Sequence, residues 1–181
     1  TKPLSFNRLS NILKSAGAVL GKQTVINYVG YMMDSYMLFT LQNYAAKLVE
    51  KETSPKYYFM DTGLLGLMLM DCSSAQLENL VAIELIRRYG RENVFYFEKN
   101  VEIDFYVPEE KLAIQVSLQV LDQIDTRERE IGAYVKLKNF IGDATCLLIT
   151  NSEEEELDYE GVHVSVVPVW KWLLQNRKQD I

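Results

Sequence analysis

Apolar residues recur at helical spacing in Phe6, Leu9, Ile12 and Leu13, which predicts a first helix capped by Ser5 and stopped at Gly17. After Gly21 a second stripe, Val25, Ile26, Val29, Met32, Met33 and Tyr36, predicts a helix running to about Tyr36. Met37–Tyr44 then reads as a strand, Lys47–Pro55 as a polar hairpin connection and Tyr57–Met60 as the returning strand. Asp61-Thr62-Gly63 turns into a short apolar helix ending near Met70. The polar break Asp71–Ala75 is the expected boundary between a segment 1–71 and a segment 72–181. The second segment reads as helix 76–89, strands 94–98, 101–107 and 112–120, helix 126–139, strands 145–150 and 162–167, and helix 169–176. Between the last two strands, Glu153–Glu156 reads as an acidic loop.

The order helix, turn, helix, hairpin is a winged-helix pattern, and its second helix stands in the recognition position. That helix opens Gly21-Lys22-Gln23-Thr24, so Lys22, Gln23, Thr24 and Asn27 are the residues expected to meet nucleic acid. The αβββαββα order of the second segment implies a mixed sheet flanked by helices, hence an α/β (α+β) chain.

Charge sharpens this division. The 181 residues carry a formal charge of −6. Residues 1–60 hold seven Lys/Arg against three acids, giving +4, and residues 61–181 hold twelve against twenty-two, giving −10. Any contact with DNA is therefore expected through residues 1–60, because phosphate contacts dominate nucleic-acid affinity. Two cysteines, Cys72 and Cys146, exclude a disulfide framework and a four-thiolate metal site. The single histidine, His163, excludes most zinc and Ser-His-Asp chemistry and is expected to pack in its strand. The apolar run 63–70 is too short to span a membrane, and no signal peptide is visible, so no membrane partner and a cytoplasmic setting are expected. The chain opens without Met and in mid-pattern, as a piece of a longer protein would.

Gly17–Thr24 superficially matches a phosphate-binding loop, but its glycine spacing is short and Gln23 follows Lys22 where Ser or Thr belongs. It also lies between two helices. Nucleotide binding is not expected there.

The sharper constellation is in the second segment. Strand periodicity puts Val101, Ile103, Phe105 and Val107 on one face and Glu102, Asp104 and Tyr106 on the other. In the next strand Gln115 and Ser117 share a face, roughly 6–7 Å apart. A hairpin through 108–111 brings Asp104 toward them, and Glu78 stands beside the apolar stripe of the preceding helix. These four residues can therefore surround one pocket. The plainer readings are a solvated sheet face for Glu102, Asp104 and Gln115, and a helix-dipole role for Glu78. Arg127 and Arg129 read as a solvated helix face, and Arg87, Arg88 and Arg91 as cations at a helix end. Trp170 and Trp172, two positions apart, cannot share a helical face.

The order helix-Glu, strand-Asp, strand-(Glu/Gln)-x-Lys, helix, strand resembles the PD-(D/E)xK, restriction-endonuclease-like fold. The chain more closely resembles the C-terminal region of a prokaryotic AAA+-type ATPase family, in which a winged helix precedes a nuclease-like domain of unknown function. Tyr58–Leu64, Leu77-Glu78-Asn79-Leu80-Val81, Glu102-Ile103-Asp104-Phe105, Ile114-Gln115-Val116-Ser117 and Thr126–Glu130 carry the likeness. The resemblance implies an upstream ATPase domain as partner, with ATP bound there alone. It also implies a site at Glu78, Asp104, Gln115 and Ser117 in which two carboxylates would hold Mg²⁺ or Mn²⁺ and a lysine would stabilise developing charge. Here neutral Gln115 replaces the Glu and Ser117 replaces the Lys, while Asp104 is kept as the one metal-ligand candidate. Lys99 and Lys111 are the nearby cations that could move in. The expectation is a degenerate, non-cleaving site and an accessory module. The alternatives are a metal-dependent nuclease with an altered site and a pure protein-interaction module offering Tyr28, Tyr31, Tyr36 and Tyr44 to a partner.

Overall fold

A computed structural model describes residues 2–18, 20–47, 54–68, 73–121 and 124–175. Helix α1 (Phe6–Ser15) begins where Ser5 Oγ accepts the Arg8 N–H at 3.3 Å, and α2 covers Lys22–Asp34. Strands β1 (Leu38–Asn43) and β2 (Lys56–Phe59) pair antiparallel, Leu38 opposite Phe59. The tip of their connection lies outside the described residues. Helices α3 (Gly63–Met68) and α4 (Ser73–Tyr89) follow, then a 3₁₀ turn at Arg91–Asn93. Strands β3 (Phe95–Glu98), β4 (Glu102–Val107) and β5 (Leu112–Val116) form a meander. Helix α5 (Ile124–Ile141) leads to β6 (Thr145–Thr150), β7 (Glu155–Tyr159), β8 (Val162–Pro168) and α6 (Val169–Leu174).

The eight strands make one mixed sheet in the order β2-β1-β3-β4-β5-β6-β8-β7. The hairpin of the first segment joins the meander of the second through a short parallel pairing of β1 with β3, Gln42 opposite Phe95 and Asn43 opposite Tyr96. Side chains reinforce the junction. Arg91 donates to the Thr40 carbonyl and hydroxyl, and Asn43 exchanges hydrogen bonds with the Glu98 backbone. One core lies on the α4–α6 face, where Leu77, Val81, Leu85 and Trp172 meet Phe39, Leu41, Tyr58, Phe105 and Ile114. The other lies under α5, where Ile131, Tyr134 and Leu137 meet Ile103, Ala113, Leu148 and Val164. The opposite-face assignment follows from strand alternation, since Ala113 and Ile114 fall in different cores.

Three expectations need correction. Strict alternation fails in β4: its register with β3 shifts between Phe95 and Phe97, so Ile103 and Tyr106 face α5 while Phe105 and Val107 face α4. One extra residue at a bulge reverses the parity of the later strand positions. The acidic stretch is not all loop, because Glu155 and Glu156 open β7. The two-residue turn Glu160-Gly161, both at positive φ, folds that strand onto β8. Its charges guard the sheet's outer edge. His163 does not pack: Val162, Val164 and Val166 point inward, so His163 points outward between Asp158 (3.0 Å) and Glu156 (3.2 Å). Its pKa is raised, first by the Asp158 hydrogen bond.

The end of α4 is tied to α6. Glu84 accepts from Arg87 and Arg88, and Arg88 also reaches the Trp172 carbonyl (3.0 Å) with its guanidinium 4.1 Å from the Trp172 ring centroid. Trp170 is exposed, as its two-position offset from buried Trp172 requires.

Asn79 grips the outer strand. Its side chain accepts the Phe59 N–H at 2.8 Å and donates to the Phe59 carbonyl at 2.9 Å. Asn79→Ala is expected to lower stability by about 2–3 kcal/mol, since both groups lose their partner at once. Urea unfolding measures this; a loss under about 0.5 kcal/mol would show that water substitutes freely for the amide.

Candidate functional site

Parity in β2 turns Lys56 and Tyr58 to the same inward face, toward α4. On α4, buried Leu77 and Val81 fix the helix rotation and carry Glu78 to the end of the sheet where β4 and β5 separate. The described β4–β5 register begins at Phe105–Ile114. Beyond it, side chains take over from the backbone ladder. The Asp104 N–H donates to Gln115 Oε1 (2.9 Å), Gln115 Nε2 donates to the Glu102 carbonyl (3.0 Å), and the Val116 N–H donates to Asp104 Oδ2 (3.0 Å). Gln115 thus spends both ends of its amide holding the splayed strands.

Glu78, Asp104 and Gln115 line one cavity of about 570 Å³, with Glu102 beside them and Arg129 and Lys136 at its rim. Three of the four candidate residues therefore converge. Ser117 does not line this cavity: beyond the end of β5, its hydroxyl donates to the Gln119 carbonyl at 3.1 Å. Lys99 is exposed, with its ammonium 5.2 Å from the Phe140 ring centroid, and Lys111 stands at positive φ in the β4–β5 turn.

A buried cation among the described residues, Lys56, lies against two of these carboxylates. Its side chain is fully buried, with Nζ 2.9 Å from Glu102 Oε1 and 3.5 Å from Asp104 Oδ1. The ring centroid of Tyr96 lies 5.3 Å away. Burial is the largest influence on this ammonium and opposes its charge. The combined attraction of Asp104, Glu78 and Glu102 outweighs it, and the pKa is raised. Tyr58 donates its hydroxyl to Glu78 Oε1 at 2.8 Å, and burial above all, then the charge of Glu78, keeps that phenol protonated. Asp104 is pushed up to about 6, first by burial and then by Glu78, against the pull of Lys56 and of the Val116 N–H.

The donor set does not suit a divalent ion. Asp104 and Gln115 are committed to backbone groups, a lysine ammonium lies against Glu102 and Asp104, and the described residues hold no cluster of three His, Cys, Asp or Glu fit to bind a metal. No reaction step through a metal follows from this arrangement.

Sequence reading misses Lys56, because charge counting places it with the basic surface of the first segment. The available signal is its position: two residues before Tyr58, in a strand whose inward positions are otherwise apolar or aromatic. In α2, Lys22, Gln23 and Asn27 are exposed and Thr24 is half-buried, and Gln23 Nε2 donates to Asn27 Oδ1 at 3.0 Å.

Residues 1–75 match a family described as a domain of unknown function, DUF8612. Over 94% of its length the chain is 32% identical to an uncharacterized protein of Methanocaldococcus jannaschii, MJ1544, and it spans 41% of that relative. No solved structure matches the chain. Among the described residues no helix is long and apolar enough to cross a membrane.

Proposed function

We propose that this chain is a non-cleaving accessory module of a larger ATPase, built as a nucleic-acid-associated winged helix fused to a nuclease-like domain. One observation carries the non-cleaving part. The ammonium of Lys56 lies against Glu102 and Asp104, at the site where a nuclease of this type would place its metal. A lysine ammonium already held between Glu102 and Asp104 presents no Lewis-acid face to a phosphate. The ATPase context rests on the family resemblance and agrees with a relative more than twice as long as the chain. The nucleic-acid part rests on the helix–turn–helix and hairpin order and on the charge of the first segment. Within residues 2–47 five cations face a single acid, Asp34.

A second reading has its own support. Glu78 and Asp104 converge with a lysine nearby, as an altered metal-dependent nuclease would require. Incubating the chain with Mn²⁺ and labelled single- and double-stranded DNA and RNA separates the two. The expected result is no cleavage above the Asp104→Ala variant. Cleavage that Asp104→Ala abolishes would establish the nuclease.

A further inference from the structure

We infer that the exposed face of α2 binds single-stranded nucleic acid by stacking unpaired bases on Tyr28, Tyr31 and Tyr36. This rests on the nucleic-acid association proposed above and specifies its substrate. Tyr28 is 53% exposed, Tyr31 64% and Tyr36 81%. Among the described residues none of the three takes part in a ring contact with another aromatic, whereas Tyr44 lies edge-on to Phe95 and Tyr106. Tyr28 and Tyr31 are three positions apart and hence neighbours on the helix surface.

The backbone at Tyr36 is informative. Its N–H bonds to the Met33 carbonyl, the Met37 N–H bonds to the Met32 carbonyl, and its φ is +56°. That is a Schellman ending to α2, with tyrosine in the left-handed position that glycine normally fills. A bulky residue there carries a conformational cost, and 81% exposure returns little packing for it. Costs of this kind concentrate where a side chain is needed for something other than stability.

The polar part of the same helix points away from duplex readout. Gln23 and Asn27, the two amides placed to read base edges, are hydrogen-bonded to each other. Tyr28 and Tyr31 then stand exposed over the next turn, and Tyr36 stands exposed just past the helix end. Exposed aromatics, with the edge-reading amides already paired, suit sequence-tolerant stacking of an unpaired strand, although the one charge among them is the exposed acid Asp34. Lys22 on α2 and exposed Arg8 and Lys14 on α1 supply the charge complement to its phosphates.

Fluorescence anisotropy tests this with the whole chain and two probes, a labelled oligothymidylate of roughly 20 nucleotides, longer than one stacking site, and a duplex of equal length. The expected result is salt-dependent binding of the single strand at least about tenfold tighter than the duplex. Tyr31→Ala is expected to weaken it by about tenfold. Tyr36→Gly should weaken single-strand binding while its unfolding midpoint stays level or rises, because glycine suits the positive φ. Equal binding of both probes, or single-strand affinity unchanged in Tyr31→Ala and Tyr36→Gly, overturns the stacking face and leaves the broader association standing. Tyr36→Gly with a lowered midpoint and unchanged affinity makes Tyr36 a packing residue and also overturns it. Absence of salt-dependent binding to either probe removes both proposals.

Discussion

Lys56→Met is expected to cost roughly 3–5 kcal/mol of stability at pH 7.5, the range seen when one partner of a buried ion pair is deleted. Methionine fills the volume but removes the buried ammonium from Glu102 and Asp104. Glu102 is 46% exposed and can turn to water, but Glu78 is buried and Asp104 is only 17% exposed. The loss should shrink in acid. Without Lys56 the folded-state pKa of Asp104 rises further above its unfolded value. Its protonated form then favours folding at low pH, and that benefit disappears as pH rises through the folded value. Urea titrations at pH 5 and pH 7.5 compare the two states. If Lys56 stands in for a divalent ion, Mn²⁺ should raise the midpoint of the Lys56→Met protein and leave the parent unchanged. A variant that unfolds at the parent's midpoint at both pH values, with or without Mn²⁺, would remove the cation-substitution argument.

Asp104→Asn is expected to act in the opposite direction. Asp104 titrates near 6 in the folded chain against an ordinary value of 3.8. A raised carboxyl favours folding below the unfolded value, and the advantage is lost as pH climbs through the folded one. Between pH 4 and pH 7 this single group therefore removes roughly 2 kcal/mol of stability. Asparagine can still accept the Val116 N–H and carries no charge, and the Lys56–Glu102 pair remains. The variant should be more stable than the parent at pH 7.5, and its stability should vary less between pH 4 and pH 6.5. Lower stability at pH 7.5 would show that the Lys56–Asp104 attraction outweighs burial.

How legible these features were depends on the range of the interactions that set them. Element order was readable because apolar periodicity is local. Ser5 capping α1, strand 145–150 and the opposed directions of Trp170 and Trp172 all follow from neighbours within a turn or two. The convergence of Glu78, Asp104 and Gln115 was also readable, since helix, hairpin and strand succeed one another. The failures were non-local. The β4 bulge depends on pairing with β3, and a single inserted residue cancels any face assignment made by counting. The outward turn of His163 follows from the alternation of Val162, Val164 and Val166, but its pairing with Asp158 and Glu156 depends on β7, which is recognised only once Glu160-Gly161 is read as a tight turn. Lys56 was hidden for the same reason. Its partners lie 46 and 48 positions downstream, and charge arithmetic assigned it to the surface.

That separation bears on how the chain is made. On a ribosome Lys56 emerges first, and the strand carrying Glu102 and Asp104 follows after roughly 2–10 s at ordinary elongation rates. Until β3 arrives just ahead of it, β1 lacks its parallel neighbour, and until β4 arrives Lys56 lacks its carboxylate partners. The hairpin can meet α4 through Tyr58 and Phe59 before then, but its β1 edge stays open. The β1 edge is thus covered only when β3 arrives, a delay in which it is exposed to other chains.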